Sequence, residues 1–430
     1  MLQLLFLFSL NLAQVCFASP VPRASLPYAI STETATLLRS RTSVQRSSKE
    51  LHKRLIGQAE LNVEYAGLGF LTNITVGNQN FSVIVDTGSS DTWLAETGFQ
   101  CLNYTTNAPE SEADCGFAST FSPDSSFTQI QDENFNISYA DLEFLNGIVG
   151  TESVTIAGIK VSKQEIGLAT LAGWAGDGIS SGLTGLAYPL ITSAYAGTDP
   201  KADQFNSTSS HLPYSPIINT IFFVENLTEP VFSLSLSRSP AIEGFGGYLT
   251  IGGIPDVTLP AINASNTFAI TDILPIESTF SSTMPQFVFY VIEAEAIIFD
   301  ELVTDAIDVV IDSGTTLNYL PSDVAEAFNL LFDPPGEFVD ELGVYIVECN
   351  AAPPDLGITI SGETFYHNTI DLIFDGQLGD NLCLSGVQDG GVLGAGSFIL
   401  GDVFLKNVLA VFDIGKEQMA FSARLYYASQ

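Results

Sequence analysis

From about residue 60 onward, short apolar, β-branched or aromatic runs alternate with turns rich in Gly, Pro, Asn and Asp. That rhythm predicts many short strands and few helices, an all-β fold class. Expected strands include 70–76, 81–85, 153–156, 231–236, 248–251, 287–292 and 409–412. The clearest helical signal is Ser322-Asp323 after Pro321, capping 324–331. A second short helix is expected to open at 203–205. The Ser-, Pro- and Gly-rich stretch 237–247 reads as the connection between two halves.

Two of the apolar runs end in nearly the same string. Val83-Ile84-Val85 leads into Asp86-Thr87-Gly88-Ser89, and Val309-Val310-Ile311 leads into Asp312-Ser313-Gly314-Thr315. One such turn is common after a strand. Two of them, with aspartates 226 positions apart, imply a duplicated lobe in which each copy offers one carboxylate to a shared site. Two close carboxylates do not both ionise easily, so one keeps a proton while the other serves as a base. Gly88 and Gly314 permit tight turns and close approach. Thr87 and Ser313 are placed to bond across to the opposite loop, and Ser89 and Thr315 to donate to the outer carboxylate oxygens.

The ends of the chain read differently. An apolar run over 2–12, then small residues before a cut after Ala18, predicts a signal peptide over 1–18. Residues 19–54 hold seven of the 14 Lys and Arg and two of the 49 Asp and Glu, which leaves seven and 47 for the remainder. The segment 19–54 is therefore read as a basic pro-segment ending in the dibasic pair Lys53-Arg54. The body divides into an N-terminal lobe, 55–236, and a C-terminal lobe, 237–430. So acidic a body suits an acidic workplace, since its self-repulsion fades as carboxylates protonate. It disfavours nucleic-acid binding. No later segment is long and apolar enough to act as a stable membrane anchor.

Five cysteines agree with secretion; Cys16 would leave with the signal peptide, and the other four allow three pairings. The local pairing, Cys101–Cys115 with Cys349–Cys383, keeps each bridge inside one lobe. The three histidines are scattered and no Cys/His cluster has metal-ligand spacing, so neither metal nor cofactor is expected. Asn-x-Ser/Thr sequons start at Asn73, Asn80, Asn103, Asn136, Asn206, Asn226 and Asn263.

Over 60–425 the chain resembles the pepsin-like aspartic proteases. The resemblance rests on Asp86-Thr87-Gly88-Ser89-Ser90 with Trp93 following, and on Phe135-Asn136-Ile137-Ser138-Tyr139 as the strand entering a flap. It rests also on Gly182-Leu183-Thr184-Gly185-Leu186-Ala187, on Asp312-Ser313-Gly314-Thr315-Thr316 and on Ile399-Leu400-Gly401-Asp402-Val403-Phe404. It implies a bilobal fold with a cleft, a catalytic pair Asp86 and Asp312, an indole–phenol bond from Trp93 to Tyr139, and a disulfide between Cys349 and Cys383. It also implies protein or peptide substrates, pepstatin-type inhibitors and a monomer. The expected function is a secreted endopeptidase made as a zymogen and active in acid, with a vacuole or other acidic compartment as a second location. The alternative is a pepsin-fold binding or inhibitor-type protein with little activity. Asp402 reads as a structural turn aspartate. The flap departs from the family's usual Tyr-Gly-x-Gly-Ser, reading Tyr139-Ala140-Asp141-Leu142-Glu143. Two glycines are lost, which removes easy access to positive φ. Asp141 is the residue expected to pair with a substrate lysine, with Glu143 as a substitute source of charge.

Overall fold

The computed structural model describes residues 56–424 except 65–66, 140–141, 204–209, 240–242, 257–261, 266, 277–285, 341, 377, 380 and 394–397. The expected signal peptide and pro-segment, and Asp141, therefore lie outside the described residues.

The all-β reading holds. Fifteen strands join in one large sheet, and sheets of eight and four strands belong to the second half. The large sheet carries the whole first half, then continues through Gly57–Glu64, Glu243–Ile251, Val231–Leu236, Val408–Asp413 and Gln418–Ala423. The two halves thus share a sheet, because the C-terminal strands return to pair with Val231–Leu236. Phe232 and Phe412 stack there with ring centroids 4.4 Å apart, and Tyr290 meets Phe412 edge-on at 4.7 Å.

Each half builds the same local unit. Gln79–Asp86 runs parallel to Gly182–Gly185, which pairs antiparallel with Thr92–Leu102. Ile307–Ile311 runs parallel to Phe398–Leu400, which pairs antiparallel with Asn318–Leu320. Strands buried on both faces read as continuous apolar runs. That is why Val83, Val85, Val309 and Ile311 show no alternation, and all four are buried. Each Asp strand ends abruptly at its glycine-bearing loop.

Several boundaries differ from the sequence reading. The stretch 237–247 is only partly a connection: Glu243–Ile251 is a strand paired with Gly57–Glu64. The strand expected at 287–292 starts at Val291, where pairing with Val309 and Val310 becomes available. The helix Ser322–Leu330 forms, but its N-cap is Pro321 and Ser322 instead bonds Asp389 at 2.7 Å. Asp203 follows a short turn, Pro200–Ala202, and the helix expected to open at 203–205 falls on residues 204–205, which lie outside the described residues. A helical segment from Ile217–Asn219 into Thr220–Val224 went unpredicted, since β-branched and aromatic residues make it look like a strand.

Both local disulfides are present, with Cα–Cα distances of 5.9 Å for Cys101–Cys115 and 5.0 Å for Cys349–Cys383. Asn136 is an unsuitable glycan acceptor, being 6% exposed with its amide nitrogen donating to Pro200 O and to Asp203 at 2.8 Å.

Candidate active site

Asp86 and Asp312 meet at the junction of the two units. They are 6% and 1% exposed, and each carboxyl acts on the proton affinity of the other. Each is held by its own loop in the same way. Asp86 Oδ1 accepts the Gly88 N–H at 2.7 Å, and the Ser89 hydroxyl donates to Oδ2. Asp312 Oδ1 accepts the Gly314 N–H at 2.8 Å, and the Thr315 hydroxyl donates to Oδ2 at 2.6 Å.

The loops also clamp each other. Thr87 Oγ1 donates to Ile311 O and accepts the Ser313 N–H, both at 2.9 Å. Ser313 Oγ donates to Val85 O at 2.8 Å and accepts the Thr87 N–H at 3.2 Å. These reciprocal bonds fix the two carboxyl planes relative to one another. The approach leaves no room for side chains, since a β-carbon at Gly88 would lie 2.5 Å from Asp312 Oδ1, and one at Gly314 would clash with Asp86.

Burial raises the proton affinity of both aspartates, and strongly that of Asp312, which also feels the charge of Asp86. The serine, threonine and glycine donors pull the other way. Two carboxyls coupled in this way titrate as a pair rather than separately. Aspartic proteases are the usual illustration of this effect. Such a pair offers a base and an acid side by side.

A hairpin is built from Thr128–Ser138 and Phe144–Ile156 with Ser138 opposite Phe144, and its tyrosine lies near enough to Asp86 for their charges to interact. Tyr139 sits at its turn, and the Trp93 Nε1–H donates to the Tyr139 hydroxyl at 2.8 Å. Trp174 packs edge-on against Trp93 at 5.1 Å and Tyr139 at 5.7 Å. Despite its missing glycines the turn still uses a left-handed residue: Leu142 has φ 78° and is 64% exposed. Leucine in that region costs roughly 1–2 kcal/mol. Glu143 is not a substrate-facing charge, because it is 3% exposed and its Oε1 accepts the Ala175 N–H at 2.7 Å.

One polar group near the site, Asp91, escaped the sequence reading. Asp91 is fully buried, accepts the Tyr214 hydroxyl at 2.5 Å and the Ser193 N–H at 2.9 Å, and is pushed up to about 6 by burial. Its place two residues before Trp93 was the available signal. Asp402 opens the short helix Asp402–Leu405 with its N–H donated to Thr315 O at 2.8 Å; its carboxyl is wholly buried. Among the described residues, no group of three or more His, Cys, Asp or Glu is placed to hold a metal, and no helix is long and apolar enough to cross a membrane.

Comparison with known proteins gives a consistent result. The family model described as eukaryotic aspartyl protease matches residues 69–424. A probable aspartic-type endopeptidase of Aspergillus fumigatus is 38% identical over 388 residues, covering 88% of this chain and 84% of its own. An acid protease of Saccharomycopsis fibuligera is 26% identical over 430 residues, covering 96% and 97% respectively. The crystal structure of an aspartic proteinase from Irpex lacteus superimposes with a TM-score of 0.65 at 18% identity, covering 86% of this chain and 98% of its own.

Proposed function

Because the chain belongs to the eukaryotic aspartyl protease family, we propose that it is a secreted endopeptidase, made as a zymogen, that cuts proteins in acid with Asp86 and Asp312. The observation that carries this reading is the pair of buried carboxyls whose loops clamp each other through Thr87 and Ser313. One carboxylate takes a proton from a water held between the two. That water attacks the peptide carbonyl carbon, and the partner acid gives its proton to the carbonyl oxygen. The tetrahedral diol then collapses, the C–N bond breaks, and the amine leaves with a proton from the pair. Thr87, Gly88, Ser89, Ser313, Gly314 and Thr315 hold the pair, and Trp93 positions Tyr139. The lobes 55–236 and 237–430 are the natural walls of the cleft.

The basic segment 19–54 suits a pro-segment that binds the acidic body near neutrality and loosens as carboxylates protonate. Secretion into an acidic medium, or delivery to a vacuole, fits both parts. Digestion of casein or haemoglobin by the activated protein tests the reading. Hydrolysis is expected in acid, weak near neutrality and blocked by pepstatin. A precursor carrying Lys53→Ala and Arg54→Ala is expected to be processed poorly by a kexin-type enzyme. A folded, processed protein that binds pepstatin yet cuts nothing would favour a binding protein.

Large apolar residues on both sides of the cut bond are the substrate positions that the family resemblance implies. We assign Asp141 the pairing with a lysine just before that bond. A peptide series varying only that residue is expected to show Asp141→Ser losing lysine cleavage and keeping phenylalanine cleavage. Unchanged lysine cleavage would leave Asp141 without a role in recognition.

A further inference from the structure

Beside the flap lies a group of acids that the mechanism above leaves unused. Glu64 ends the strand Gly57–Glu64 and is 1% exposed. Asp177 and Ser180 neighbour its carboxyl, and the charged groups acting on it are Asp177 and Glu143. Asp177 Oδ1 accepts the N–H groups of Ile179 at 2.7 Å and Ser180 at 3.3 Å. Directly across the ladder from Glu64 stands Glu243, exposed and also acidic. These neighbours bring no positive charge to the cluster.

The orphaned atoms show what holds the cluster together. Glu64 Oε2 and Asp177 Oδ2 are both buried and take no hydrogen from any ordinary donor. A buried carboxyl oxygen with no donor and with acids for neighbours favours the protonated form of Glu64.

This pair backs the segment that the flap grips. Glu143 follows the flap turn, and its Oε1 accepts the N–H of Ala175, the neighbour of Trp174. Trp174 packs on Trp93 and Tyr139, and Trp93 donates to the Tyr139 hydroxyl. Glu143 also lies close enough to Glu64 for their charges to interact. The flap turn, the 174–180 segment and the end of the first strand are thus tied by three acids.

We propose that Glu143, Glu64 and Asp177 form a carboxyl latch that positions the flap tyrosine over the dyad, closed while Glu64 is protonated and sprung when Glu64 ionises. Glu143 is a positioning residue, since it acts on Tyr139 through Ala175 and Trp174 and touches no reacting atom. Burial and the two neighbouring acids hold the Glu64 carboxyl well above its ordinary value of 4.5. A raised value in the folded state means that the latch is complete in acid and is lost as pH rises through that raised value. Asp86 and Asp91 also act on Tyr139 by charge, so the test has to separate their titration from that of Glu64.

The proposal rests on reading Tyr139 as the residue that closes over the dyad. Its test uses the mature protein, a fluorogenic peptide and intrinsic fluorescence. The chain has two tryptophans, Trp93 and Trp174, and both lie in this cluster. The parent's KM is expected to rise from mild acid to neutrality more steeply than kcat falls, with a matching fluorescence transition. Glu64→Gln keeps the shape and cannot ionise, so the KM rise flattens and the transition disappears. Glu143→Ala is expected to raise KM in acid about tenfold, the usual effect of losing a hydrogen bond to a charged group. Glu143→Gln restores it, because the amide oxygen still accepts the Ala175 N–H. A Glu64→Gln protein with the parent's KM profile and fluorescence transition overturns the latch, as does parent-like KM in Glu143→Ala. Asp86→Asn retains the transition if the latch is separate from the dyad; its loss there would assign the signal to the dyad and overturn the latch. An intact transition that Glu64→Gln removes, in a parent that cuts no peptide, would sink the protease reading and leave the latch standing.

Discussion

Asp86→Asn and Asp312→Asn are each expected to abolish peptide hydrolysis while leaving the fold intact. Each carboxyl performs half of one proton relay, so neither compensates for the other, and proton-transfer groups of this kind contribute about 10²–10⁴-fold or more. Asparagine preserves the shape and keeps an oxygen for the Gly88 or Gly314 N–H, which the loops hold at 2.7 and 2.8 Å. It also removes a buried ionisable group, so thermal stability near neutrality should be equal or higher. Measurement of kcat/KM beside a melting curve checks both halves. Near-normal turnover by either folded variant would remove Asp86 and Asp312 from the catalytic role.

The mature protein is expected to be most stable in mild acid and to lose stability steadily toward pH 8. Burial raises Asp91 to about 6, and raises Glu64, Asp402, Asp86 and Asp312 as well. A carboxyl whose folded value lies above its unfolded value binds its proton more tightly in the native state. Its stabilisation is therefore present below the unfolded value and lost as pH rises through the folded one. For Asp91, buried throughout, the shift from 3.8 to about 6 corresponds to about 3 kcal/mol as an upper limit. The half-buried Glu165, raised to about 7 beside Glu133 and Asp91, adds in the same direction. Repulsion among 47 acidic and seven basic residues after Arg54 reinforces the trend. Buried His367, lowered to about 4, opposes it, because its neutral form is favoured and acid must charge it. The carboxyls outnumber it. A melting temperature at least about 5 °C lower at pH 8 than at pH 4 is the expected result; equal or higher stability at pH 8 contradicts it.

The dyad was legible because everything that makes it is local and repeated. Two β-branched runs stop at Asp-Thr-Gly and Asp-Ser-Gly, and the hydroxyl and glycine that support each carboxyl lie within three residues of it. The Trp93–Tyr139 bond was accessible only through the family resemblance, since its partners are 46 positions apart. Elements set by partners rather than by their own residues were misplaced. Glu243–Ile251 is a strand because Gly57–Glu64 lies beside it, although its Gly-rich start reads as a linker. The helical residues 217–224 carry strand-forming side chains that packing on the first half overrides.

The amino-acid sequence by itself determined an all-β chain with two matched aspartate loops, four body cysteines and an acidic surplus, because turn chemistry, apolar runs and charge are properties of neighbouring residues. Only the tertiary structure decided which carboxyls leave water and which share protons. Glu64, Glu143 and Asp177 come from three distant segments, and in the sequence each looks like a solvated charge. The proton affinity of Glu64 depends on burial and on neighbouring acids, and those are set only when the strands, the flap and the 174–180 segment close on one another.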